Sequence, residues 1–392
     1  MNSSNVSDGP QTIRLRSSRL SADELLLHIP IELIIGIFSK LPLKSIARCR
    51  CVSKQWASVL GRSDFTELFL TKSLARPRLL FARQDDSQVI FFSLPQPQKP
   101  DENFPTVATV DHHMSVPFKR VRDISSCVNG YVSYYRMAKG MKTEEFVYVI
   151  CNPSTRQCFT LPKTRKRTET RNFLGYDPVE KQHKVLAVTC QDDGAVEHQV
   201  LTLRENRNLT WRMTECGIHH SFPWSYCICI NGVLYYIAKA SSGDYIIVCF
   251  DVRFEKYSSV KSVKSAVRPA TLFNYNGKLA SLMAQPDPFR ISETSTILEM
   301  WILEDPEKHE WSKRIFNLPP IWTDAALLRF VGVTATNEFV LSPLFPSGPF
   351  HVYYYNFVKE SIRRVEIQGI GGFITGSIVL TFLNHVEDVK LM

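Results

Sequence analysis

The stretch Cys227-Ile228-Cys229-Ile230-Asn231-Gly232-Val233-Leu234-Tyr235-Tyr236-Ile237-Ala238 decides how most of this chain folds. Two short runs of β-branched, aromatic and small apolar residues flank one Asn-Gly pair. A two-residue type I′ turn needs positive φ at both positions, which Asn tolerates and Gly adopts freely, so the stretch predicts a tight β-hairpin. The same device recurs at Asn129-Gly130 and Asn276-Gly277. A second kind of turn recurs between them, at Asn152-Pro153-Ser154-Thr155-Arg156, Asp177-Pro178-Val179-Glu180-Lys181, Asp251 to Lys256, Asp305-Pro306-Glu307-Lys308 and Asn356-Phe357-Val358-Lys359-Glu360. In each, an apolar run ends in Asn or Asp, whose side chain can hydrogen-bond its own turn backbone, and Pro, where present, presets φ.

Working outward, residues 78–390 read as many short strands separated by turn residues. Taking Asp86, Asn129, Glu180, Asn231, Asn276 and Asn337 as one hairpin marker per unit gives six units of roughly 50 residues, the period of kelch-type blades. A six-bladed β-propeller follows, because radial repetition of four-stranded sheets leaves few open edges. The apolar run Ser377–Leu383 is placed to pair with the first blade and close the ring. Irregular spacing keeps a large β-sandwich open as the rival. The double glycines of kelch repeats and the Gly-His…Trp-Asp marks of WD40 repeats are both missing.

Upstream the period changes. Leu33, Ile34, Ile37, Phe38 and Leu41 recur at helical spacing after Pro30; Pro42 closes that segment and opens a second helix from Leu43. A third carries Val52, Trp56, Val59 and Leu60, with Ser53 as its cap and Gly61 as its stop. The fold class is therefore multidomain, α plus all-β: a disordered leader (1–24), three helices (25–62), a linker (63–77) and a propeller-like domain (78–390). Three short helices cannot bury enough apolar surface alone, so their apolar residues need the rest of the chain or a partner.

Composition narrows the function classes. Of 392 residues, 44% are hydrophobic and 22% charged, which excludes wholesale disorder. The first 24 residues lack an apolar signal region and the ten Cys are scattered, so the chain is expected to be intracellular and reduced, in the nucleus and/or cytoplasm. The apolar runs are too short or too glycine-broken to span a bilayer, so no membrane is expected. A net charge of +9 first hints at nucleic acid. The basic run from Lys163 to Arg171, however, has Phe159 and Phe173 flanking it rather than interleaved, so nucleic acid is not the expected partner.

The run Ile29-Pro30-x-x-Leu33-x-x-x-Ile37-Phe38-x-x-Leu41-Pro42-Leu43-Lys44-Ser45-x-x-Arg48-x-Arg50-Cys51-Val52-Ser53-Lys54-x-Trp56 resembles an F-box, in the form typical of the large plant F-box group. Cys151-Asn152-Pro153-Ser154-Thr155-Arg156, Gly175-Tyr176-Asp177-Pro178 and Asn231-Gly232-Val233-Leu234-Tyr235-Tyr236 resemble motifs of that group's associated domain. The resemblance implies a substrate-receptor subunit of a Skp–cullin–F-box ubiquitin ligase. Its F-box would dock on a Skp-type adaptor through Ile29, Pro30, Leu33, Ile37, Leu41, Pro42, Leu43, Val52 and Trp56, with Trp56 as the expected hot spot. The C-terminal domain would capture a protein substrate, which the +9 charge tilts toward an acidic one. Three positions depart from the pattern: Ile29 for Leu, Gly36 for Glu, and Cys49 for Phe.

No Gly-x-Ser-x-Gly, Walker-type loop or Gly-x-Gly-x-x-Gly supports acyl, phosphoryl or hydride chemistry, so neither a catalytic group nor a cofactor is expected. Cys227 and Cys229 read as small core hydrophobes rather than half a zinc site. His112-His113 and His219-His220 read as solvated loop pairs. Two other classes stay open: an enzyme built in a propeller pore, and a scaffold or lectin-like binder independent of any ligase.

Overall fold

The computed structural model describes residues 29–391 apart from 86, 98–104, 118–120, 138–145, 165–168, 192–193, 204–208, 224–226, 262–270, 288–290, 293, 320–326 and 374–375. The leader and the centre of the basic run lie outside the described residues. The chain forms two compact units, one ending at Leu68 and one spanning Phe69–Met392.

Four helices open the described chain: α1 (Ile31–Phe38), α2 (Leu43–Arg50), α3 (Lys54–Val59) and α4 (Ser63–Leu74). Pro30 and Pro42 sit immediately before α1 and α2, where a missing N–H breaks no helical bond. Their carbonyls accept from Leu33 and Ile34, and from Ser45 and Ile46, at 2.9–3.2 Å. Ser53 Oγ accepts from Trp56 N at 3.3 Å and caps α3. The fourth helix occupies the stretch read as a linker. Its buried Phe65, Thr66, Phe69 and Ser73 fall at helical spacing, but two of the four are polar, which hides the stripe from a hydropathy reading.

The second unit contains six separate sheets, so a β-sandwich is ruled out. Blade two is Val121–Val128, Tyr131–Met137, Phe146–Asn152 and Gln157–Thr160, a simple antiparallel meander. Blades three, four and five repeat this order, beginning at Thr170–Asp177, Ile228–Ile230 and Thr271–Tyr275. Blade six starts at Leu328–Val333 and ends at Ser361–Gln368, where Val107–Thr109 adds a parallel fifth strand. Blade one takes its first strand from the far end of the chain: Ile378–His385 pairs antiparallel with Arg78–Gln84. The first strands of the six blades contact one another in an unbroken circle. The ring is closed.

The turns work as their residues dictate. Asn129, Asn231 and Asn276 have φ of 45°, 49° and 50°, each followed by Gly at 85–89°. In the second turn type the Asn or Asp Oδ1 accepts two backbone N–H groups, as at Asn152 (2.9 and 3.3 Å) and Asp305 (2.9 and 3.0 Å). The residue four positions on, Arg156, Lys181, Glu255, His309 or Glu360, then turns left-handed with φ of 50–63°. Gly130 adds a packing demand: a Cβ there would lie 3.0 Å from the Asp388 Cβ.

Blade-to-blade packing forms the core. In blade three, Leu174, Val185 and Leu201 pack toward blade two, whereas their neighbours Phe173, Leu186 and Val200 pack toward blade four. Successive side chains point to opposite faces of a strand. Both faces are buried, so the strands read as continuous apolar runs rather than clean alternation.

Two buried histidines make this packing pH-sensitive. His183 donates to the Val128 carbonyl at 3.1 Å, between Tyr131 and Tyr176, and His385 Nδ1 lies 3.3 Å from Cys127 Sγ. Burial pushes their pKa down to about 4 and about 3, aided by the nearby charge of Lys390 for His183 and of His113 and Arg78 for His385. Below about pH 6.5 the unfolded chain binds protons at both sites while the folded chain does not. Their stabilising contribution is therefore complete above that pH and falls as pH drops toward the folded values. Denaturant melts at pH 5 against pH 7 should show at least about 4 kcal/mol lost, the buried His198 adding to this pair, and His385→Gln should remove about 2 kcal/mol of that loss. Identical melts at the two pH values would contradict this.

One cysteine pair departs from the reduced expectation. Cys151 and Cys158 are cross-strand partners with Cα atoms 4.1 Å apart and are joined by a disulfide. The Asn152–Arg156 turn sets the two strands in the register that brings them opposite.

Candidate functional site

Helix α1 carries two apolar faces. Ile34, Ile35 and Phe38 point inward and are buried. Leu33 and Ile37, spaced by four residues, point outward and are 59% and 56% exposed, and Ile29, just before the helix, is 39% exposed. Val52, between α2 and α3, adds a fourth large apolar side chain at 51% exposure. A single exposed apolar residue is ordinary, but a row along one helix face marks a surface that another molecule covers.

The remaining expected contact residues divide. Pro42 is exposed, while Leu41, Leu43 and Trp56 are partly buried. The Trp56 ring packs on Phe38 with centroids 5.0 Å apart and an interplanar angle of 51°. Trp56 thus also holds the helices together, a duty its hot-spot assignment did not include. Arg50 Nη2 donates to the Leu60 carbonyl at 2.9 Å and ties α2 to the end of α3. Gly36 lies in α1 with open space where a Cβ would stand, so its cost is the backbone freedom of Gly, about 1 kcal/mol relative to Ala. Cys49 is half-buried, and burial pushes its thiol pKa up.

In the propeller unit, the residues weighed for chemistry take places that spacing did not reveal. His112-His113 lie on the strand Asp111–Pro117 of blade one, not in a loop. His113 Nε2 is 2.6 Å from Ser93 Oγ, which also accepts from Arg78 Nε at 2.7 Å. Ser93 is wholly buried, so this Ser–His pair offers no open nucleophile. Cys227 is buried in the cluster between blades three and four and Cys229 lies against it, as small core residues do. His220 meets His198 rather than His112-His113: their Nε2 atoms are 3.2 Å apart. His198 sits in the mixed strand Val196–Thr202, and only the three-dimensional pairing of strand and connection marks it. Among the described residues, no helix is long and apolar enough to cross a membrane.

Comparison with known proteins agrees with this two-part arrangement. Residues 26–68 match the F-box domain model, and residues 78–386 match the model of the F-box associated beta propeller domain. Among curated proteins, the chain is 52% identical over 397 residues to F-box protein DOR of Arabidopsis thaliana, covering 99% of this chain and 98% of that one. It is 46% identical over 400 residues to F-box protein At5g65850 of the same plant, covering 99% and 97%. Among solved structures, it is similar to the beta-propeller domain of the Trilobed protease from Pyrococcus furiosus at TM-score 0.34 and 12% identity, covering 62% of this chain and 70% of that one, too distant to bear on function. With an F-box in its helices and the associated propeller in its six blades, the chain belongs to the plant F-box proteins.

Proposed function

We propose that the chain is the substrate-receptor subunit of a Skp–cullin–F-box ubiquitin ligase. The observation that carries this reading is the outward pair Leu33 and Ile37 on α1, joined by the exposed Ile29 just before it and by Val52, in a segment matching the F-box domain. An amphipathic helix with a bare apolar face is what a helix-in-groove partner covers, and a Skp-type adaptor is the partner an F-box implies. Ile29, Leu33, Ile37 and Val52 supply most of the contact, with Pro30, Leu41, Pro42 and Leu43 around them. The cullin core is reached through the adaptor.

The propeller presents the substrate. In an antiparallel meander, the first-to-second and third-to-fourth turns of a blade lie at one end, and there the Asn-Gly and Asx turns are tight. The longer second-to-third and blade-to-blade connections lie at the other end, and loops carried on a rigid scaffold serve recognition. That face is the one proposed to capture an acidic protein substrate. No bond is made or broken by this chain.

Reconstitution tests the role. The full chain with adaptor, cullin core and ubiquitin-activating components should assemble into a particle that ubiquitylates a captured protein, and Leu33→Asp with Ile37→Asp should sharply reduce assembly. A wild-type chain that never joins the ligase core would point instead to a scaffold.

A further inference from the structure

His198, Cys216 and His220 converge at the junction of blades three and four. His198 projects from the strand Val196–Thr202 of blade three; Cys216 and His220 lie on the connection that follows Arg212–Met213. Their ligating atoms all lie within 4.8 Å of one another. The Tyr236 hydroxyl, on the strand Val233–Lys239 of blade four, is 3.4 Å from His198 Nε2 and 3.2 Å from His220 Nε2.

The rings are oriented for ligation. His220 Nδ1 donates to the Ser221 carbonyl at 2.7 Å, which leaves the Nε2 lone pair facing His198. The segment is held in place by the bridge from His220 to Ala240 and by Ser221 N donating to the Lys239 carbonyl at 2.7 Å. His198 is buried, its ring edge-on to Tyr257 at 5.2 Å.

We propose that His198, His220 and Cys216 bind a zinc ion that staples this connection between blades three and four, with Tyr236 beside its fourth position. Zinc holds imidazole nitrogens at 2.0–2.1 Å and thiolate sulfur at about 2.3 Å. Two nitrogens 3.2 Å apart around such an ion subtend about 103°, close to tetrahedral. The spacing of the two imidazole nitrogens is thus already that of a zinc site, and the Cys216 sulfur, within 4.8 Å of both, turns from the Ile218 carbonyl to complete it. Two imidazoles and a thiolate select zinc over the hard cations calcium and magnesium, which want oxygen. Binding displaces the Cys216 proton, so uptake releases acid.

Cobalt(II) and zinc(II) titration of the untagged full chain, after chelator treatment, tests the site. One equivalent of cobalt should give the thiolate charge-transfer absorption and intense d–d bands of a tetrahedral ion, and zinc should displace it and raise the melting temperature. Cys216→Ser, at a half-buried position that folding tolerates, should abolish the charge-transfer band. His198→Gln should weaken zinc at least about 100-fold, no less than the loss of an outer-shell partner does. A chain that takes up no cobalt, or whose spectrum is unchanged by both substitutions, would overturn the proposal and leave a hydrogen-bonded imidazole pair.

Discussion

Leu33→Asp combined with Ile37→Asp should weaken binding to a purified Skp-type adaptor at least about 100-fold while leaving the melting temperature nearly unchanged. Both side chains are more than half exposed in the free chain, and substitutions at such positions usually shift stability by only about 0.5 kcal/mol. Covered by a partner, each contributes about 1.5–3 kcal/mol, and a carboxylate in its place must also be stripped of water. A 100-fold change needs only about 2.7 kcal/mol, which the pair exceeds. Trp56→Ala should behave differently. Its ring packs on Phe38 between the helices, so its loss should lower stability and binding together. Calorimetric titration beside thermal melts separates the two effects. Full affinity in the double variant would remove α1 from the interface.

Deleting residues 377–392 should abolish cooperative unfolding of the propeller. The deletion takes away the first strand of blade one and leaves Arg78–Gln84 with an open edge. Val379, Val386 and Val389 are all but fully buried, each contributing about 1.5–3 kcal/mol. The tail also reaches blade two: Asn152 Nδ2 donates to the Asp388 carbonyl at 3.0 Å, and the Ser342 and Thr381 hydroxyls meet at 2.8 Å across blades six and one. Against a net stability of about 5–15 kcal/mol for a folded domain, losing a strand shared by two blade junctions is decisive. Far-UV circular dichroism melts and limited proteolysis should show a broad transition and rapid cleavage. A sharp wild-type transition in the shortened chain would mean that the ring does not depend on this closure.

Much of the propeller was legible because its turns are chemically explicit. Asn-Gly at 129, 231 and 276 permits few conformations, and the Asn or Asp at 152, 177, 251, 305 and 356 carries its own acceptor for the turn. Six markers therefore gave six blades. One marker was misaligned: Asp86 lies between the second and third strands of blade one, since the first comes from Ile378–His385. Helix α4 escaped notice because its inward face mixes Phe65 and Phe69 with Thr66 and Ser73. On α1, hydropathy showed one apolar stripe, while the fold divides it into an inner face at Ile34, Ile35 and Phe38 and an outer one at Leu33 and Ile37. Only knowing which side the neighbouring helices occupy separates those faces. His198 and His220, 22 positions apart, meet through blade packing, which no local pattern encodes.

Hydrogen exchange of the full chain with and without a Skp-type adaptor tests the central claim most directly. Backbone amides of α1 and of the segment around Val52 should exchange more slowly in the complex, while the propeller strands remain as they were. Unchanged exchange across residues 29–62 in the presence of saturating adaptor, or protection confined to the propeller, would contradict it.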